Sequence, residues 1–288
     1  RLGASARRTV VDYEEAAEAE LFQALEEVYT PEWLERRLPG LDDPSPIFIV
    51  GQPRTGTTLV ERIISSHSQV RSAGELRHFS ISIRRLADYR KPERYSADLL
   101  RRAASLDGAD LGRLYFDASR IMRGNSPRFV DKMPLNFQYI PLILSALPRA
   151  KIIHLVRNPM DACFSSFKHL FADAYLHSYK QGEMARHHAR YLHLMATWRQ
   201  RFPGRFYDVA YEDITRELEP NARALIEYLE LPWEDTCLRF HDQDTAVATA
   251  SAVQVREPVH TRSVARWKKY QDQLQPMRDE LLKQGVKT

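Results

Sequence analysis

Residues Pro46 to Thr58 read P-I-F-I-V-G-Q-P-R-T-G-T-T, and few folds accommodate such a stretch. Ile47, Phe48, Ile49 and Val50 form an apolar, β-branched run bounded by Pro and Gly, the pattern of a strand buried on both faces. A tight turn from Gly51 to Gly56 follows, and Leu59, Ile63 and Ile64 then recur at helical spacing. Strand, glycine-flanked loop and helix N-terminus together make an anion site, because successive backbone N–H groups and the helix dipole converge on one place. The spacing G-x-x-x-x-G is that of a nucleotide phosphate loop, but Thr57 stands where a nucleoside triphosphatase carries Lys. Arg54 occupies the middle of the loop instead. The loop is therefore expected to cradle phosphate without being built around a Mg·nucleoside triphosphate.

The rest of the chain repeats the strand–helix alternation. Arg128–Lys132, Lys151–Val156 and Arg205–Ala210 read as three further strands, with Val70 to Leu76 and several helical tracts between. Asn158 and Pro159 after the Lys151 strand have the identities of a helix N-cap and first helical residue, and Pro220 is placed likewise at the first position of a helix to Leu229. Strands alternating with helices imply a three-layer α/β/α fold around a central parallel sheet, with a P-loop-like strand–loop–helix at its start. Ligands of such sheets bind beyond the carboxyl ends of the strands. Here those ends carry the Arg54 loop, Lys132, Arg157 and Tyr211-Glu212. Residues 1–45 are charged and Ala/Glu-rich and read as a helical lead-in, compatible with the end of a longer upstream helical region, while residues 46–288 form the main domain.

With 288 residues, 43% of them apolar, the chain suffices for one large α/β domain. A net charge of +4 is too mild to imply nucleic acid as a partner, and no apolar run has the length of a membrane span. Cys163 and Cys237 lie far apart without a C-x-x-C pattern and suit two reduced thiols, so a cytoplasmic setting is expected. His187, His188 and His193 share a helical stretch, but their spacing fits no familiar metal site, and no metal is expected.

The segments P-R-T-G-T-T, V-x-x-A-G-E-L, D-K-M-P and L-V-R-N-P-M-D-A-C-F-S-S-F, in this order, resemble the sulfotransferases that use 3′-phosphoadenosine 5′-phosphosulfate (PAPS). The likeness is to the tyrosylprotein sulfotransferase-like branch and to bacterial sulfotransferase domains that follow tetratricopeptide repeats, and it runs from about Pro46 to Tyr270. It implies that Arg54, Thr55, Gly56, Thr57 and Thr58 hold the 5′-phosphosulfate end of PAPS. It also implies that Arg157 and Ser165 grip the 3′-phosphate and that Tyr211 lies beside the nucleotide. Ser251 and Arg266 would complete the nucleotide site, with Arg262 as a competitor for the latter role. Glu75 matches the general base, Lys132 a lysine near the transferred group, and Arg77 a basic residue facing the acceptor.

The chemistry is consistent with those roles. Sulfuryl transfer moves an SO₃ group in line between an acceptor oxygen and a phosphate, so positioning and charge stabilisation carry most of the work, as in phosphoryl transfer. Arg54, Lys132 and the loop amides can neutralise the developing charge, and Glu75 can take the acceptor proton. A second phosphate suits the planar fork of Arg157. The expected activity is thus transfer from PAPS to a hydroxyl or phenol of a small-molecule or peptide acceptor, releasing 3′-phosphoadenosine 5′-phosphate (PAP). Self-association into a homodimer stays open. Two rivals remain: an ATP-dependent kinase or nucleoside triphosphatase with a P-loop, and a nucleotide-binding module without catalysis.

Overall fold

The apolar run after Pro46 is the central strand of a five-stranded parallel sheet. In the computed structural model, which describes residues 2–92, 96–171, 174–243 and 256–288, the strands are β1 (Pro46–Gly51), β2 (Val70–Ser72), β3 (Arg128–Asp131), β4 (Lys151–Val156) and β5 (Tyr207–Ala210). Their order is β2-β3-β1-β4-β5, and every neighbouring pair is parallel. Four strands were expected from periodicity. The fifth, β2, is an edge element of three residues, two of them exposed, which is too short to show an alternation.

Alternation along β1 assigns its side chains to two cores. Phe48 and Val50 join a cluster containing Tyr115, Phe137 and Trp198, while Ile47 and Ile49 pack with Val60, Ile63, Ile64 and Leu225 on the other face. Both faces of the sheet are covered, as its unbroken apolar strands require. The residues before β1 share the first of these cores. Leu21, Phe22 and Leu25 of the helix Glu15–Val28 are buried in that cluster, and Tyr29 Oη donates to the carbonyl of Leu100 at 2.8 Å.

Two helix starts illustrate how local rules meet packing. Asn158 caps the helix Pro159–Phe167 as expected, its side chain accepting from Asp161 N at 3.2 Å. Pro220, expected at the first position of its helix, lies inside the first turn of Leu218–Tyr228 instead. A proline is tolerated there because first-turn N–H groups have no intrahelical partner.

This topology fixes where a ligand sits. The chain leaves β1 toward β2 on one side of the sheet and leaves β4 toward β5 on the other, so the loops after β1 and β4 part and leave a crevice between them. The loop after β1 carries Arg54, and the turn after β4 carries Arg157.

Candidate active site

The phosphate loop is held in a conformation that few sequences adopt. Gly51 and Gly56 have φ of 146° and 105°, and Arg54, although not glycine, has φ of 65°. At Gly56 a second constraint applies: a Cβ there would stand 2.4 Å from Cδ2 of Tyr211, so only glycine lets the ring lie against the loop. A left-handed arginine costs about 1–3 kcal/mol and persists only where its surroundings over-determine it. The surroundings here are explicit. Thr55 Oγ1 donates to the carbonyl of Gln52 at 2.7 Å, Ser166 Oγ to that of Pro53 at 3.3 Å, and Arg157 Nη1 to that of Arg54 at 2.7 Å. Thr57 and Thr58, both buried, open the helix Thr57–Ser65 behind Gly56.

Arg157 is the keystone of this corner. Besides Arg54, its guanidinium reaches the carbonyl of Ser263 through Nη2 at 2.6 Å and lies 4.3 Å from the centre of the Tyr211 ring. Its Nε is buried and has no partner among the described residues, a donor that a ligand oxygen would satisfy. Arg54, Thr58, Arg157, Ser165 and Tyr211 line one pocket with Lys168, and no acidic side chain lines it among the described residues. The cations press on one another. Burial, and after it Arg157, holds Arg54 below its usual pKa. Desolvation and then Arg266, Arg54 and Arg157 push the Lys168 ammonium down to about 8. Lys168 is exposed overall, so the neighbouring cations are the more durable cause. His169 is also lowered, by burial and then by Arg54 and Lys168. Such a concentration of positive charge costs free energy unless an anion completes it.

Two late residues reach this corner through an unexpected anchor. Asp161 accepts from Ala265 N at 2.6 Å and Trp267 N at 3.0 Å, docking the segment with Ser263 and Arg266 onto the helix Pro159–Phe167. Arg266 is exposed, outside the pocket lining, with its charge felt at Lys168. Arg262 is exposed and paired with Glu257. Ser251 falls outside the described residues.

Glu75, Arg77 and Lys132 belong to a second locus. Lys132 is fully buried at the end of β3, where its Nζ donates to Glu75 Oε1 at 2.5 Å and stands 3.7 Å from Glu61 Oε2. A buried ammonium needs such partners to offset desolvation. Ser72 Oγ in turn donates to Glu61 Oε1 at 2.7 Å. Glu75 keeps 46% of its side chain exposed and, with Arg77, lines a cavity of ≈ 1100 Å³. The helix Thr57–Ser65 joins the two loci: Thr58 and Leu59 line the cationic pocket, and Glu61 faces Lys132. Asp131, next to Lys132, is not available to a ligand in this way. It is fully buried, accepts from Tyr115 Oη at 3.0 Å and Leu76 N at 3.3 Å, and burial raises its pKa to about 8.

A cationic pocket beside a carboxylate–lysine pair invites comparison with known proteins. The sequence profile of the sulfotransferase family matches residues 46–235. The chain belongs to the sulfotransferase family. It is 36% identical over 280 residues to an uncharacterised protein of Aquifex aeolicus, covering 93% of this chain and 36% of that protein. It is 26% identical over 233 residues to a protein-tyrosine sulfotransferase of Drosophila melanogaster, covering 77% of this chain and 46% of that one. The chain thus spans between a third and a half of the length of these two relatives. Among solved structures, the sulfotransferase domain of the Synechococcus PCC 7002 olefin synthase superposes with a TM-score of 0.55 at 19% identity, covering 80% of this chain and 90% of that one. The sulfotransferase domain of the curacin biosynthetic pathway gives 0.54 at 18% identity, covering 85% and 98%. These likenesses agree in the fold. Within the fold of this family, Lys168, His169, Gln52 and Asp161 are residues near the site that sequence reading passed over. Lys168 carried no signal of its own, because a basic residue after a helix C-terminus is ordinary dipole compensation.

Proposed function

We propose that this protein transfers the sulfuryl group of PAPS to a hydroxyl or phenol. The observation that carries the reading is the pairing of the two loci: a cationic pocket at the phosphate loop, with no acidic lining residue among those described, and beyond the same helix a Glu75–Lys132 pair opening on a large cavity. In this reading the adenosine phosphates occupy the corner of Arg54, Arg157, Ser165 and Lys168, and the acceptor enters past Arg77. Glu75 takes the acceptor proton as the new S–O bond forms. The bond between sulfur and the phosphate oxygen breaks, and its electron pair leaves with PAP. Lys132 and the loop donors stabilise the charge on that oxygen and on the equatorial oxygens. The fully buried Lys132 cannot reach far, so the transferred group is placed near the rim shared by β1 and β3.

The rivals fare less well on the same residues. A nucleoside triphosphatase needs Lys at position 57 and a carboxylate at a strand end to hold Mg²⁺. Position 57 is Thr, Arg157 follows the last residue of β4, and Asp131 at the end of β3 is spent on Tyr115 and Leu76. A module without catalysis would have no need of a carboxylate clamped to a buried lysine at the mouth of a cavity. Nothing among the described helices is long and apolar enough to cross a membrane. Independently of that, our reading is a cytoplasmic enzyme acting on a small molecule or peptide.

Calorimetric titration with PAP tests the proposal, and its pH dependence tests the pocket. With a pKa near 8, Lys168 is charged below that value and neutral above it, and a bound phosphate favours the charged form. PAP affinity should therefore fall by about 3–10-fold between pH 7 and pH 9, where the phosphates are already ionised. In Lys168→Met the slope should flatten. Absence of PAP binding in the parent would refute the donor assignment.

A further inference from the structure

Outside the cationic corner, Glu18, His177 and His187 bring their potential ligand atoms within 4.8 Å of one another. The rings of His177 and His187 are stacked, with centroids 3.4 Å apart and planes inclined by 11°. Their Nδ1 atoms both face Glu18 Oε1, at 3.2 and 2.9 Å. Parallel rings aim their nitrogen lone pairs in parallel, so they do not converge on a metal as tetrahedral ligands must. The other carboxylate oxygen is already taken by Arg190 at 2.7 Å and Tyr13 Oη at 3.0 Å. The cluster is better described as an ionised carboxylate accepting two imidazole N–H groups and a guanidinium.

What it leads to is the phosphate loop. With Nδ1–H committed to Glu18, His187 presents Nε2 as an acceptor, and Gln52 Nε2 lies 3.1 Å from it. Gln52 is 1% exposed and occupies the first position of the loop after Gly51. The three residues Gln52, Pro53 and Arg54 are thus each tied to a different part of the fold: to His187, to Ser166 and to Arg157. The first tie continues, through Glu18, into the helix Glu15–Val28, which lies before the stretch matched by the family profile. Glu18, His177 and His187 form part of the wall of the cavity that Glu75 lines.

We propose that Glu18 is a positioning residue for the phosphate loop, acting through His187 on Gln52, so that the segment preceding residue 46 is part of the transfer machinery. Glu18 selects the Nδ1–H tautomer of His187, and that tautomer alone offers an acceptor to the Gln52 amide. Without Glu18 the ring is free to carry its proton on Nε2, where it meets the Gln52 N–H₂ donor to donor unless the amide turns its buried Oε1 to the ring, so the tie that orders Gln52 is no longer fixed in one geometry. The ordering of the loop is independent of the reaction; the kinetic consequence rests on the sulfuryl-transfer reading.

The deciding experiment is hydrogen exchange on the whole chain without ligand, following the amides of residues 51–58. Glu18→Ala and Gln52→Ala should each raise exchange there by about tenfold, and the double variant should exceed neither single one. Glu18→Gln, which still offers His187 an amide oxygen but turns an N–H₂ toward Arg190 and Tyr13, should raise exchange at the loop clearly less than Glu18→Ala. If Glu18→Ala raises exchange across the entire chain, His187→Phe replaces it in the cycle, since it keeps the stacked ring and removes both nitrogens. Parental exchange in the single variants, additive effects in the double one, or equal exchange in Glu18→Gln and Glu18→Ala would each overturn the proposal. In turnover, Glu18→Ala should lower kcat by about tenfold with acceptor KM unchanged. A parent that fails to bind PAP would refute the donor assignment alone, because the exchange cycle needs no nucleotide.

Discussion

The Glu75→Gln protein is expected to bind PAP within about twofold of the parent and to transfer sulfuryl groups about 10²–10⁴-fold more slowly. The two side chains differ by one heavy atom's identity, and the amide oxygen can still accept from Lys132 Nζ, now 2.5 Å from Oε1. Lys132 also keeps Glu61 at 3.7 Å, so its buried charge is not left without a counter-ion. Loss of the Glu75 charge therefore leaves the packing around β3 in place and removes mainly the capacity to accept a proton. The cationic corner, built from Arg54, Arg157, Ser165 and Lys168, does not include Glu75 among its lining residues. The prediction is accordingly a split: binding retained, chemistry lost. Calorimetry with PAP beside a turnover assay with labelled donor reads both halves. Full activity in Glu75→Gln would move the general base elsewhere; weakened PAP binding would mean that the two loci are less separate than their linings indicate.

How much of this was legible beforehand follows from the range of the interactions. The strand–loop–helix at Pro46–Thr58 and the cap at Asn158 are decided within a few residues, by burial pattern, glycine freedom and one side-chain acceptor, and both were readable. Parallel order followed from the alternation of elements. β2 was not read as a strand because three edge residues carry no period. Arg54, Arg157 and Tyr211 were singled out from motif and strand-end position, and the structure gathers them at one pocket. Lys132 and Glu75 were singled out separately, and their direct contact across 57 positions was not foreseeable from either neighbourhood. The ties that hold the loop were invisible for the same reason. Glu18 and His187 are separated by 169 positions, Asp161 and Ala265 by 104, and neither pair has a spacing rule that would select it. The sequence did signal that His187 belongs to a helix with other histidines, and spacing argued against a metal. It could not supply the carboxylate partner, which arrives from the helix Glu15–Val28 packed against the histidines' own helix.

Arg157→Ala should weaken PAP binding by about 10²–10³-fold, the largest loss expected from any single residue of the nucleotide corner. Three separate interactions end with that side chain. The carbonyls of Arg54 and Ser263 lose charge-assisted donors at 2.7 and 2.6 Å, and Tyr211 loses the cation 4.3 Å from its ring centre. The first loss relaxes the left-handed Arg54, whose φ of 65° depends on being held from outside. The second frees the segment that Asp161 docks from the other side. A ligand phosphate loses, in addition, the buried Nε that has no partner among the described residues. Arg157→Lys separates charge from geometry. A lysine restores one positive charge but is a point donor and cannot span two carbonyls and a phosphate from a planar fork, so it should recover only a minor part of the affinity. Calorimetry on both variants, at pH 7 where Lys168 is charged, measures the difference directly. Parental affinity in Arg157→Ala would remove the residue from the nucleotide site; parental affinity in Arg157→Lys would show that charge alone, rather than the fork, is what the corner requires.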